Sequence, residues 1–161
     1  MLKLGTAVAL LNMLLNAGMA WIILHSQAAV PLWGQASIAA FMLCSGALTG
    51  LIFGYIATRA TWMGLRSSQV LPLHWHLKSQ TLIDRLPAST FHRSFILSLC
   101  GILFTYLILL LLEVEDRSGL LLHEFIVLIS IQAALSGAGI TAMAFYRALS
   151  DKTAAKKNIP A

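Results

Sequence analysis

Three amides in this chain sit inside apolar runs. Asn12 and Asn16 lie one helical turn apart near the middle of the first run, and Gln132 lies about a third of the way into the last. An amide in hydrocarbon without a partner costs free energy, so all three are expected to face the interior of a helix bundle. Such groups do one of two jobs. They hydrogen-bond between helices, worth about 0.6 kcal/mol per bond on average, or they line a pathway for an ion or small solute. No carboxylate or basic residue accompanies them inside the runs, so a proton-driven transporter lacks its usual carrier. Interhelical bonding is the favoured expectation.

The histidines offer less. His25 closes the first apolar run and His123 opens the fourth, placing both near one face of the expected bundle. Imidazoles from facing helices can be the axial ligands of a b-type haem, yet interfacial histidines more commonly bond water or headgroups. His74-Trp75-His76 places two imidazoles about 200° apart on a helix, where they cannot share a metal, whereas on a strand they could. No further ligand lies near them, and His123-Glu124 lacks the second His of a zinc helix. Cys44 and Cys100 stand alone in apolar runs, with no ligand spacing. There is no phosphate loop, nucleophile elbow or carboxylate pair placed for catalysis, so neither an enzyme nor a resident cofactor or metal is expected.

The elements that position these groups follow from hydropathy. Of 161 residues, 58% are hydrophobic and 11% charged, with a mean hydropathy of +0.81, whereas soluble domains are about one quarter charged. Four apolar runs predict spans at about 4–24, 36–58, 94–112 and 125–146. They form a single domain, 1–161, with a loop at 59–93 and a basic tail at 147–161. The first run has the basic start and the Gly18-Met19-Ala20 sequence of a signal peptide, but it continues through Trp21 to Leu24 and reads as an uncleaved span. Leu73, Trp75, Leu77, Leu82, Ile83 and Leu86 suggest a short helix lying on the membrane over 72–87.

The second run is the organising one. Gly46, Gly50 and Gly54 recur every four residues and so share one helical face. Helices in lipid gain little from the hydrophobic effect and associate through close backbone approach, which a glycine zipper permits. Ser94, Ser98, Gly101 and Thr105 make a stripe of small residues on the third run. Ala133 and Gly137 make another on the fourth, beside Ala134, Ala138 and Ala142. All are expected packing faces.

Ten of the eleven Lys and Arg fall in the amino terminus, the middle loop and the tail, which an even number of spans places on one side. The positive-inside rule then puts both termini and that loop in the cytoplasm, facing an anionic leaflet, with Arg117 alone opposite. The net charge of +5 is accordingly assigned to the membrane surface and not to nucleic acid.

The segments Asn16-Ala17-Gly18-Met19-Ala20-Trp21, Val30-Pro31-Leu32-Trp33-Gly34 and Ser37-Ile38-Ala39 resemble a group of uncharacterised small bacterial inner-membrane proteins, some loosely labelled permease-like. The resemblance covers about the first quarter of the chain, and the glycine ridge departs from the bulkier second helix of that group. It implies a bacterial polytopic membrane protein and carries over no site residue. The expected fold is all-α: an antiparallel four-helix transmembrane bundle in the inner membrane, with both termini cytoplasmic. The expected function is a non-catalytic accessory subunit or self-associating component, partnered by another membrane protein or by itself. An oligomeric small permease or channel lined by the amides is the alternative, and a haem-binding subunit the outlying one.

Overall fold

The computed structural model describes residues 2–67 and 85–150, with side chains from Gly5 onward. Four helices carry almost all of it: α1 (Leu2–Leu24), α2 (Ile38–Arg66), α3 (Thr90–Val114) and α4 (Leu122–Leu149). Each is long and apolar enough to cross a membrane. The possible surface helix at 72–87 and the His74-Trp75-His76 sequence fall almost wholly outside the described residues, as does most of the basic tail.

Helix lengths differ from the hydropathy spans at the charged ends. α2 continues past Thr58 to Arg66, and α3 begins at Thr90 rather than Ser94. Loss of hydropathy does not end a helix when Arg, Met and Leu, all good helix formers, follow. Serine caps one start: the Ser37 hydroxyl accepts from the Ala40 amide at 3.2 Å and donates to the Gly34 carbonyl at 2.8 Å. Glu124 bonds back to the Leu121 amide at 3.1 Å, favourably placed at the positive end of α4. At the end of α3, Asp116 takes a φ of 56° while the Asp116 and Arg117 amides bond the Glu113 and Leu112 carbonyls. This is a Schellman-type stop with Asp in the position glycine usually holds.

The links at that end are not plain loops. Ala29–Pro31 (β1) and Gly119–Leu121 (β2) pair antiparallel, with Val30 opposite Leu120. Further bonds from the Leu32 amide to the Ser118 carbonyl and from Leu122 to Ala28 extend the ribbon. Period-two patterning over three residues is too short to read from sequence. Beneath the ribbon lies the larger core cluster, including Leu24, Val30, Ile38, Met42, Leu109, Phe125 and Ile129. Phe41 meets Phe125 edge to face at 5.8 Å between centroids.

The packing is crossed. α2 lies chiefly against α3 and α1 chiefly against α4, while α2 and α4 form the centre; each helix touches its own hairpin partner little. Element order repeats as helix, strand, helix. The ribbon therefore relates the halves by an approximate two-fold through the Val30–Leu120 pair, exchanging α1 with α3 and α2 with α4.

The α2–α3 seam is where the small residues meet. A methyl placed on Gly46 would lie 2.6 Å from the Thr105 hydroxyl and 2.8 Å from the Gly101 carbonyl oxygen. One on Gly50 would lie 2.6 Å from the Leu97 carbonyl oxygen and nearer still to the Ser98 backbone. Gly54 is looser, with the Leu97 side chain at 3.1 Å. The pairs 46 with 101 and 54 with 94 run in opposite directions, so the two helices are antiparallel. Gly137 of α4 packs likewise on Asn12 of α1, 3.3 Å from where its methyl would fall.

At the other end, Arg93 is fully buried, not a solvated loop charge. Its guanidinium donates to the Pro87 carbonyl at 3.1 Å and to Ala88 at 3.2 Å. Arg147 of α4 donates to Leu86 at 2.7 Å, so two helices grip the same entry into α3.

The seam geometry ranks the glycines. Gly50→Ala should lower stability by ~1–3 kcal/mol, because backbone atoms must separate to admit the methyl. Gly54→Ala should cost clearly less, since a leucine side chain can turn aside, and Gly139→Ala, which meets nothing within 4 Å, should be neutral. Thermal unfolding of the three variants in detergent checks the order. A Gly50→Ala protein as stable as Gly139→Ala would contradict the seam.

Candidate functional site

The three interior amides fall in two hydrogen-bonded networks rather than one. On the α1 side, the Asn12 amide nitrogen donates to the Ala133 carbonyl of α4 at 2.7 Å. Asn16 donates to the Asn12 carbonyl at 2.8 Å and to its side-chain oxygen at 2.9 Å. From α2, Ser45 donates to the Asn16 side-chain oxygen at 2.5 Å and Thr49 to that of Asn12 at 3.3 Å. Three helices are thus tied at mid-depth. The spacing of Asn12 and Asn16, one turn apart on α1, puts both on the side that meets α2 and α4. Ser45 and Thr49 answer with the same spacing.

Gln132 belongs to the second network. Its amide nitrogen donates to the Thr105 hydroxyl of α3 at 3.0 Å and to Ser136 at 3.4 Å, while Thr105 donates onward to the Gly101 carbonyl at 2.9 Å. The side chain is buried, yet its Oε1 has no hydrogen-bond partner. Asn16 and Gln132 do not bond one another, because Asn16 is turned to Ser45 and Gln132 to Thr105. Sequence reasoning found the three amides but not Ser45, Thr49 or Ser136; hydroxyl residues in a membrane helix often bond their own backbone and so give no separate signal.

The packing residues fall on these same seams. Gly46, Gly50 and Gly54 face Gly101 and its stripe, and Ala133 and Gly137 face Asn12. His25 and His123 are both exposed, so neither is enclosed between helices as an axial haem ligand would be. The His25 ring nitrogen lies 2.9 Å from the Ile22 carbonyl, with its ring 5.6 Å from that of Trp21. Among the described residues no group of three or more His, Cys, Asp or Glu is placed to hold a metal.

Beside Asn16 and Ser45 a groove of about 420 Å³ opens between α1 and α2. Its walls are Leu15, Met19 and Ile23 on one side and Ala40, Cys44 and Leu48 on the other. α1 and α2 can stand apart here because α1 packs chiefly on α4 and α2 chiefly on α3, with little direct contact between the two. The polar side chains that line it are Asn12, Asn16, Gln35, Ser37, Ser45 and Thr49, together with the Cys44 thiol. Comparison with family models, curated proteins and solved structures finds no match to this chain.

The separation of the networks has a thermodynamic signature. In double-mutant cycles, Asn16→Leu with Ser45→Ala should show coupling of about 0.6 kcal/mol or more, as for polar pairs between membrane helices. Asn16→Leu with Gln132→Leu should be additive within ~0.5 kcal/mol. Denaturant unfolding in mixed micelles measures both, and strong Asn16–Gln132 coupling would contradict the two-network arrangement.

Proposed function

We propose that this is a multi-pass protein of a bacterial inner membrane, with both termini and the segment between α2 and α3 in the cytoplasm. It serves there as a non-catalytic component of a membrane complex, as an accessory subunit or by self-association. The observation that supports this most is how the interior polar groups are used. Asn12, Asn16, Ser45 and Thr49 bond one another and a backbone carbonyl across three helices. Groups so engaged hold a bundle together and leave little to conduct a solute. The lysines and arginines support the orientation: Arg59, Arg66, Arg85, Arg93 and Arg147 gather at the end away from the ribbon, where an anionic leaflet would attract those that are exposed.

Because α3 already fills the α2 glycine ridge, a partner must dock elsewhere. The exposed faces of α1 and α3 are available, including Leu14, Ile22, Leu103 and Leu111. The buried Gln132 Oε1 favours a second reading, an oligomeric permease or channel whose pathway runs past the α3–α4 network.

Two measurements decide. Reporter fusions at Lys157 and between Arg66 and Arg85 should read cytoplasmic, and one at Arg117 external; an external tail would break the topology. Reconstituted protein should form a defined oligomer or complex in nanodiscs and move no ion or small solute in liposomes. A flux that Gln132→Leu abolishes at unchanged stability would replace this reading with the permease.

A further inference from the structure

The two halves of the chain repeat one unit. The Leu32 amide donates to the Ser118 carbonyl and the Leu122 amide to that of Ala28, and the approximate two-fold through Val30 and Leu120 turns one bond into the other. α1 and α3 stop at the same distance before that pair, at Leu24 and Val114. The inner helices repeat as closely. With Ile38 laid on Phe125, every buried residue of α4 falls on a buried residue of α2, including Gln132 on Ser45, Ser136 on Thr49 and Gly137 on Gly50. Hydrogen bonding agrees: Ser45 bonds Asn16 within one half, and Gln132 bonds Thr105 within the other. Between the halves, Asn12 donates to the Ala133 carbonyl and Ser98 to that of Ala47.

What holds each unit lies mostly outside it. α2 packs chiefly on α3, α1 chiefly on α4, and β1 pairs with β2, so the main helical contacts and the ribbon all join one half to the other. The covalent connection between the halves is the segment that follows Arg66 and precedes Thr90. None of these contacts requires that both halves belong to one chain. Pairing about a two-fold is also the commonest way in which identical chains associate. Order of synthesis adds a cause. α1 and α2 are made first, and their glycine ridge stays unfilled until an α3 arrives, from the same chain or from a neighbour.

We propose that two copies of this protein exchange halves, the α1–α2 half of each seated on the α3–α4 half of the other. The partner is a second copy, and the surface is the glycine seam and ribbon that close a single chain. Exchange of this kind deepens the self-association reading above, on which it rests. Finished bundles must come apart to exchange, so the dimer is set while the chains are being made.

The ribbon reports which chain supplies each strand. Ala29 and Leu121 stand opposite one another in it and both are exposed, so cysteines there can meet without disturbing the core. The test uses full-length chains carrying Cys44→Ser and Cys100→Ser. A chain with one tag also carries Ala29→Cys, and a chain with another tag carries Leu121→Cys. Mild oxidation of membranes from cells making both should give a disulfide-linked species with both tags, several-fold above the same-tag species. The two chains purified separately and mixed in liposomes should give several-fold less of it. A single chain with both cysteines should close the bond within itself in the monomer fraction, and failure to do so would contradict the ribbon on which exchange depends. Two-tag disulfides no commoner than same-tag ones, or as common after mixing as after co-expression, would mean chance meeting of exposed thiols and overturn the exchange. Native mass spectrometry of the unaltered protein separates the two levels. A dimer whose cysteine variants form no two-tag bond would end the exchange and leave self-association through another face, whereas a protein that is monomeric throughout would end both.

Discussion

Close contact between the backbones of α2 and α3 is the constraint on which the rest of the bundle depends. Side chains at positions 46, 50 and 101 would hold the helices apart, because each would meet backbone atoms across the seam, and at Gly46 the Thr105 hydroxyl as well. With only hydrogen at those positions, two helices meet over Gly46–Gly101 and Gly50–Ser98 and gain close dispersion contacts. The Ser98 hydroxyl can then reach the Ala47 carbonyl across the seam at 2.9 Å, a bond that a wider spacing would forbid. Glycine in a helix costs about 1 kcal/mol relative to alanine in water, and the seam is what that cost secures.

From the seam follows the crossed arrangement. With α2 committed to α3, the α1–α2 hairpin cannot close on itself, and α4 takes the opposite flank of α2 while receiving α1 on its own far side. The two-stranded ribbon completes this exchange at one end by bonding the link of one hairpin to the link of the other. Arg93 and Arg147 fasten the opposite end by gripping the carbonyls of Leu86, Pro87 and Ala88. Neither hairpin is a self-contained unit, since its main helical contacts lie in the other half. This explains how a bundle with modest buried fractions in its outer helices, 17% for the α1 span and 28% for α3, stays in register.

The number of helices and the identity of their packing faces were legible in the sequence. Long uncharged runs and a four-residue glycine period are strong signals, because a hydrocarbon solvent and close backbone approach both demand them. Which face met which was not legible. Ser94, Ser98, Gly101 and Thr105 fit an α4 partner as well as an α2 partner by spacing alone, and nothing in the periodicity of Ala133 and Gly137 names α1. Ribbon pairing was hidden for another reason: Ala29–Pro31 includes a proline and Gly119–Leu121 a glycine, residues that sequence patterns assign to turns. Pro31 is accommodated at the end of a strand that has one partner only, where a missing amide costs little.

The amides show most clearly how a site differs from the residues that compose it. Sequence placed Asn12, Asn16 and Gln132 together in the interior; Asn12 and Gln132 are buried in different networks, while Asn16 is half-buried and lines the α1–α2 groove. Asn12 and Asn16 are engaged by Ser45, Thr49 and the Ala133 carbonyl, whereas Gln132 keeps a buried oxygen with no partner. A satisfied network rigidifies, and an unsatisfied buried oxygen carries a desolvation penalty of about 1–3 kcal/mol. The two networks therefore pull the functional reading in different directions. The α1–α2 network ties helices and lies along the wall of an apolar groove. In the α3–α4 network the Gln132 Oε1 is buried without a hydrogen-bond partner among the described residues.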